Sequence, residues 1–137
     1  MQLVQSRSAG KTLVRAVLGA MAGYIVLALA STLVQEVWLG GVSYNDSARS
    51  VLILAGMFTP LCAFLAGVAS SLIATHSRWP AAALLSALIA VETTYLYMTG
   101  RVDGPLWFEA GAGAALMGTV LAATWLCGHL QSRRGNI

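Results

Sequence analysis

The segment 51-VLILAGMFTPLCAFLAGVASSLIA-74 runs for 24 residues without a charged side chain. About 20 consecutive apolar residues in an α-helix are enough to cross the hydrocarbon core of a lipid bilayer. Three further runs share this character, at about residues 16–34, 81–98 and 106–128, apart from one glutamate in each of the last two. The sequence therefore predicts four transmembrane helices.

The composition of the whole chain supports this interpretation. Of its 137 residues, 58% are hydrophobic and 9% are charged, and the mean hydropathy is +0.75. A soluble domain carries about 25% charged residues, so this chain has too little polar surface to face water. We expect one all-α integral membrane domain over residues 1–137, with the lipid bilayer as its main partner.

The connections between the predicted helices are short. A loop of moderate length covers residues 35–50, and two short turns cover residues 75–80 and 99–105. Turns of that length place consecutive helices side by side in opposite directions. We therefore expect an up-down four-helix bundle.

The lysine and arginine residues predict the orientation of the bundle. In the expected topology one side holds Arg7, Lys11, Arg15, Arg78, Arg133 and Arg134, and the other side holds Arg49 and Arg101. Positive residues favour the cytoplasmic side of a membrane, so we expect both termini in the cytoplasm and the protein in a bacterial inner (plasma) membrane. The net charge of +3 follows from this distribution and does not indicate a nucleic-acid partner.

Small side chains predict where the helices touch. Apolar side chains gain little by leaving lipid for protein, so helix contact in a membrane depends on close backbone approach. Residues three, four and seven apart share a helix face. The predicted packing positions are Gly19 and Gly23 in the first helix, Gly56, Pro60 and Gly67 in the second, and Gly111 and Gly118 in the fourth. Cys62 and Cys127 lie off these stripes, and we expect Cys62 and Cys127 to face lipid.

Glu92 is the acidic residue that the pattern places well inside a helix, about two turns from the end of the third helix. A carboxylate in hydrocarbon is costly and marks a functional site by default. Either its side of the helix faces the bundle interior, or it faces outward and needs a partner chain. Tyr95 is a hydrogen-bond candidate, and Arg101 and Arg49 are candidate counter-charges. A structural role, in which Glu92 reaches the interface or bonds to a tyrosine, is the alternative.

No motif in the sequence points to catalysis. A nucleotide-binding loop, a zinc-protease motif and a nucleophile elbow are all absent from it. A zinc site needs three or four convergent ligands, and Cys127 points away from the helix face that carries His129. We therefore expect no enzymatic activity, no cofactor and no metal site.

Several short motifs recur with the four-span layout. They are the basic N-terminal tail, Ala22-Gly23-Tyr24 early in the first helix, and Leu65-Ala66-Gly67 running to Ile73-Ala74. In these the chain resembles a widespread group of small bacterial four-span membrane proteins of unestablished activity, over most of its length. The resemblance implies the fold and no activity. The small multidrug transporters are similar in size and span number, but their essential glutamate lies in the first span, where the predicted span here has no acidic residue.

Two functions fit these observations. The favoured one is a structural or accessory membrane protein, which packs with itself as a homo-oligomer or with a larger membrane complex. The alternative is a small proton- or ion-coupled transporter that acts as an oligomer, with Glu92 as the titrating group. The two differ in whether Glu92 lines a water-accessible cavity or a dry protein contact.

The charge asymmetry generates a topology prediction. In variants that lack the two native cysteines, a cysteine at Ser6 or Ser132 should be protected from a membrane-impermeant thiol reagent in intact cells. A cysteine at Ser47 should be labelled, because residues 35–50 are expected outside. Labelling at Ser132 would contradict the four-span topology.

Overall fold

The computed structural model describes residues 2–134 of the chain and the side chains of residues 10–133. Over this range the structure is all-helical. Its helices are α1 (Gln2–Thr32), α2 (Arg49–Ile73), α3 (Arg78–Met98) and α4 (Leu106–Arg134), and a π-helical segment (Leu33–Trp38) continues α1. The side chains of Arg7 and Arg134, which entered the charge comparison, lie outside the described ones.

The first helix extends beyond its expected end. The π-helical segment places Gln35 and Glu36 on a helix rather than in a loop. Gly40 and Gly41 follow the helix with φ angles of 72° and 90°, a backbone conformation that glycine adopts without steric cost. The loop before α2 is therefore shorter than expected, and Glu36 belongs to the first candidate span.

The bundle has two ends, and we name each one by the segments that connect the helices there. At the loop end, residues 39–48 lie against residues 99–105, and the Tyr44 N–H donates a hydrogen bond to Asp103. At the turn end, residues 74–78 lie beside the last turns of α4. The titratable side chains and cavities described below belong to one or the other of these ends.

Glycine residues on α1 bring its backbone close to α2. A Cβ atom on Gly19 would lie 2.9 Å from the carbonyl oxygen of Ser70. A Cβ atom on Gly23 would lie 2.9 Å from the carbonyl oxygen of Ala66. Real Cβ atoms do not approach a backbone oxygen this closely, so the two helices can pack at this distance only because both positions are glycine.

A third glycine brings α2 equally close to α4. A Cβ atom on Gly67 would lie 2.9 Å from the carbonyl oxygen of Val120 and 2.8 Å from the Cβ atom of Ala123. α3 completes the arrangement, because α1 and α4 each pack against both α2 and α3. The order of helices around the bundle is therefore α1, α2, α4, α3.

Branched side chains fill the middle of the bundle. We call Leu27, Leu85, Ile89 and Val120 the central layer, and each of them is at most 6% exposed. They come from α1, α3 and α4 and belong to one apolar cluster with the buried alanines of α2. This layer separates the loop end of the bundle from the turn end.

The prediction that Gly111 and Gly118 pack inside the bundle is wrong for the single chain. Gly111 and Gly118 are exposed, and a Cβ atom on either would meet open space. The buried face of α4 carries Gly113, Val120 and Ala123, and at 3.6 residues per turn it lies about half a turn away. Every residue from 110 to 115 is glycine or alanine. Residue size in this part of the sequence therefore does not show which face of α4 is buried.

Two expectations for α2 also fail. Gly56 is exposed, with open space at its Cβ position, while its neighbour Ala55 is buried. Cys62 is 5% exposed and does not face lipid. α2 contacts both α1 and α4, so its buried face is wider than one stripe of small residues and includes Cys62. The helix continues through Pro60, which is half-buried.

The outward faces of the helices are apolar. Exposed large side chains occur on every helix and include Leu29, Leu65, Val91, Trp107 and Leu130. All four helices are long and apolar enough to cross a membrane. By the length and composition of its helices, the chain is a multi-pass membrane protein.

The glycine contacts generate a stability prediction. Gly67→Ala should destabilise the protein by about 1–3 kcal/mol, because the added methyl group overlaps the α4 backbone and forces the helices apart. Gly118→Ala is the matched control on an open face, where alanine should be neutral or slightly stabilising as the better helix former. Thermal unfolding in detergent measures both, and equal melting temperatures would contradict the close α2–α4 contact.

Candidate functional site

Two cavities lie between the helices at the loop end. The acidic cavity forms because the facing surfaces of α1 and α4 carry small side chains there, Ala28 and Ser31 on one helix and Ala112 and Gly113 on the other. The acidic cavity has a volume of about 370 Å³, and the aromatic cavity has a volume of about 470 Å³. Volumes of this size accommodate small molecules or several waters.

The acidic cavity is lined by three carboxylates from three separate segments. Glu36 comes from the π-helical segment, Glu92 from α3 and Glu109 from α4. Hydroxyl and amide groups add to this polar wall, namely Ser31, Thr32, Gln35, Thr59 and Thr93. In the described part of the chain, no lysine or arginine forms an ion pair with these carboxylates. The cavity is therefore negative in character.

Glu92 shares its side of α3 with residues of the bundle interior. Leu85 and Ile89, both buried, lie on that side because they are seven and three residues before it. The Tyr24 hydroxyl of α1 lies close enough to interact with the Glu92 carboxylate. Glu92 lines the acidic cavity, but its own side chain is exposed, so it is not buried in the bundle interior.

The partners expected for Glu92 lie elsewhere. Tyr95 is 56% exposed and, like Arg101, is not among the residues that line the acidic cavity. Arg49 and Arg101 are exposed at the loop end. Tyr24, the partner that the structure supplies, is 68 positions away in the sequence. No local spacing could have indicated it, because the contact depends on how α1 packs against α3.

A hydrogen bond lies on the wall that the two cavities share. The Gln35 side-chain amide donates to the Thr59 hydroxyl at 3.1 Å, and this hydroxyl donates to the Ala55 carbonyl at 2.7 Å. Pro60 follows directly and lines the aromatic cavity with Gly56. Because proline has no N–H, it leaves the Gly56 carbonyl without its helical donor. The shared wall is therefore polar on its α2 side.

The aromatic cavity lies between α2 and α4 and is lined by ring side chains. Tyr44, Trp107 and Phe108 contribute to its wall together with Glu109. The rings of Tyr44 and Phe108 are tilted against each other, with centroids 4.9 Å apart. Glu109 lines both cavities, so a ligand in either one would meet the same carboxylate.

Asp103 ties together the two loops at the loop end. Its carboxylate accepts hydrogen bonds from the Ser43 hydroxyl, from the Tyr44 N–H at 3.0 Å and from the Asn45 N–H at 3.3 Å. The hydrogen bond from Ser43, followed by that from Tyr44, holds the pKa of Asp103 below its ordinary value. Tyr44 is thereby held in the wall of the aromatic cavity.

The geometry limits what the acidic cavity can bind. A carboxylate can take up or release a proton, and its ionised form attracts a cation. No three His, Cys, Asp or Glu side chains among residues 10–133 converge closely enough to hold a metal ion. The carboxylates therefore surround a space, which suits a proton, a hydrated ion or a larger cation.

Comparisons with protein-family models, curated proteins and solved structures find no match to this chain. The resemblance to small bacterial four-span proteins stays a prediction from the sequence motifs. What the chain does must therefore be argued from its own residues and cavities.

The Asp103 contact generates a pH prediction. A lowered pKa means that the ionised form stabilises the folded loops; the effect is present above about pH 3.9 and is lost as pH falls through the lower folded-state pKa. Hydrogen exchange in detergent should therefore show the Tyr44 and Asn45 amides protected at pH 7. Relative to intrinsic exchange rates, they should lose this protection at strongly acidic pH.

The matched variants are Asp103→Ala and Asp46→Ala. The first should remove the protection at pH 7 and abolish its pH dependence. The second leaves the three hydrogen bonds to Asp103 in place and should keep the protection. Unchanged exchange in Asp103→Ala would show that this carboxylate does not hold the loop.

Proposed function

We propose that this protein is a small proton- or cation-coupled membrane transporter that acts as an oligomer, with Glu92 as the titrating group. The observation that carries the proposal is the place of Glu92 in a polar cavity between α1, α3 and α4, with Glu36 and Glu109 on the same wall. Ionisable residues that face a cavity inside a membrane protein mark ion and proton pathways.

The coupling follows from competition for one carboxylate. When a cation occupies the acidic cavity, ionised Glu92 offsets its charge. When the cation leaves, a proton can replace it on the same carboxylate, so that the two compete for one site. The Tyr24 hydroxyl can form a hydrogen bond with Glu92 in both states, since a hydroxyl can donate to the ionised acid and accept from the neutral one.

The central layer determines the side from which the cavity is reached. Leu85, Ile89 and Val120 are closely packed between the acidic cavity and the turn end. In this conformation a ligand enters from the loop end, and passage to the other side requires these side chains to separate. The proposal therefore includes a second conformation, in which the loop end closes and the central layer opens.

The proposed orientation is an up-down bundle in an inner (plasma) membrane, with both termini in the cytoplasm and the loop end outside. The distribution of acidic and basic residues between the two ends of the bundle supports this orientation. All five acidic residues lie between positions 36 and 109 and belong to the loops or the loop-end half. Lys11, Arg15, Arg78 and Arg133 belong to the turn end or lie near it, and positive residues favour the cytoplasmic side.

An accessory role remains the second candidate, and one surface favours it. One stripe of α4 consists of small, exposed residues, Gly111, Ala114, Ala115, Gly118 and Ala122, of which Gly111 and Ala115 also line the aromatic cavity. Small residues let another helix approach closely in a membrane. A second copy or a larger complex would fit there, and in the transporter the same surface supplies the oligomer. We propose no enzymatic activity under either candidate.

Flux measurements distinguish the two candidates. The protein is reconstituted in liposomes that contain a pH-sensitive dye, and Na⁺, K⁺ or tetramethylammonium is added outside. For a cation–proton exchanger, the internal pH should rise as protons leave. Glu92→Gln keeps the shape and removes the titration, so it should reduce this flux to less than about a tenth of the wild-type rate.

Asp46→Asn is the matched control, since Asp46 is an exposed carboxylate outside both cavities, and it should transport like wild type. Flux that is unchanged in Glu92→Gln, or absent from the wild type with all three cations, would overturn the transport proposal. In that case the accessory role predicts that Glu92→Gln assembles normally. Glu92→Ala should then weaken assembly, because a partner donor is left unpaired.

A further inference from the structure

A third cavity lies at the turn end, on the opposite side of the central layer from the acidic cavity. Its volume is about 400 Å³, and its walls come from the start of α3 and the last turns of α4. The residues that line it are Arg78, Trp79, Thr124, Trp125, Gly128, His129 and Ser132. The transport proposal uses none of them.

Arg78 is the charged group of this cavity, and neutral acceptors hold it in place. Its Nε donates to the Thr75 carbonyl at 3.2 Å, and one terminal nitrogen donates to the Gln131 side-chain carbonyl at 2.7 Å. Among the described residues no carboxylate pairs with it. No carboxylate therefore offsets the positive charge of this half-buried guanidinium, which has N–H groups to spare for a ligand.

The rest of the cavity wall leaves room for this guanidinium. A Cβ atom on Gly128 would lie 2.9 Å from a terminal nitrogen of Arg78, so the guanidinium lies against α4 at a position that has no side chain. The Trp125 indole stacks on the His129 imidazole, with centroids 5.5 Å apart and planes 9° apart. Trp79 and Trp125 are 54% and 59% exposed, as side chains are at a membrane interface.

The charges around the cavity select an anion. The five acidic residues of the chain occupy positions 36 to 109, in the loops or the loop-end half. None of them lies at the turn end, where it would repel an anionic ligand. Arg133 follows Ser132 of the cavity wall in the chain and adds positive charge to this end of the bundle. A guanidinium presents N–H groups in a planar fork that matches phosphate oxygens.

We propose that the turn-end cavity binds a phosphate group, and specifically the headgroup of an anionic phospholipid. Arg78 binds the phosphate, while the exposed tryptophans hold the headgroup region at the interface. Basic pockets between transmembrane helices bind anionic headgroups in this way. A free phosphate ion shares the chemistry of the headgroup, so the experiment must separate these two sources.

Tryptophan fluorescence reports the binding directly. In a Trp38→Phe, Trp107→Phe background the remaining tryptophans, Trp79 and Trp125, both line the cavity. Full-length protein in a neutral detergent is titrated with dioleoylphosphatidylglycerol, with dioleoylphosphatidylcholine or with inorganic phosphate. Phosphatidylglycerol should give a saturable change that phosphatidylcholine does not give, because the choline cation offsets the phosphate charge.

Two variants and their controls locate the site. Arg78→Gln should weaken phosphatidylglycerol binding at least about tenfold, since it removes a charge-assisted contact, whereas Arg49→Gln at the loop end should not. Because Arg78→Gln also loses contacts to Thr75 and Gln131, Ser132→Glu tests the site without altering Arg78. It places a negative charge at the exposed rim and should abolish binding, whereas Ser50→Glu should not.

The outcomes separate the sources and decide the proposal. Saturation by phosphatidylglycerol alone supports the lipid headgroup. Saturation by inorganic phosphate at similar concentrations, lost in Ser132→Glu, supports the phosphate site and assigns it to the free anion. The proposal is overturned if neither titrant saturates. It is also overturned if folded Arg78→Gln and Ser132→Glu proteins bind phosphatidylglycerol like wild type.

Discussion

The close approach of three helix backbones at Gly19, Gly23 and Gly67 is the constraint on which the rest of the bundle depends. At each position a Cβ atom would come within 2.9 Å of a carbonyl oxygen of the neighbouring helix. In a membrane, where apolar side chains gain little by leaving lipid, such backbone contact is the main source of helix association. It places α2 between α1 and α4, which consequently lie across the bundle from each other.

That arrangement explains why the cavities lie where they do. Over the described residues the backbones of α1 and α4 do not approach each other closely, so the space between them is filled where large side chains reach into it. Leu27, Leu85, Ile89 and Val120 fill it in the middle of the bundle. Toward the loop end both helices present small or polar residues, and the space stays open. Small residues thus permit close packing at some positions of the bundle and leave room for a ligand at others.

The two ends of the molecule differ in their electrostatics as well as in their shape. The loop end gathers carboxylates around its cavities and holds its own loops together through Asp103. The turn end combines arginine with exposed tryptophan and has no acidic residue. A transporter needs a site that changes its charge and a scaffold that stays fixed in the bilayer. We infer that the loop end supplies the first and that the turn end, bound to a phospholipid headgroup, supplies the second.

The sequence by itself determined the class of the fold and the four helices, because length and hydropathy are local properties. It also singled out Glu92 as a candidate, because the cost of an intramembrane charge can be read from the sequence alone. It also pointed to Gly19, Gly23 and Gly67, where glycine recurs against a background of larger residues. Only the tertiary structure decided which face of α4 is buried, since residues 110–115 are all glycine or alanine. The same is true of the Tyr24 contact and of the cavities. They arise from residues far apart in the chain, and their position depends on how each helix is rotated about its axis, which hydropathy does not encode.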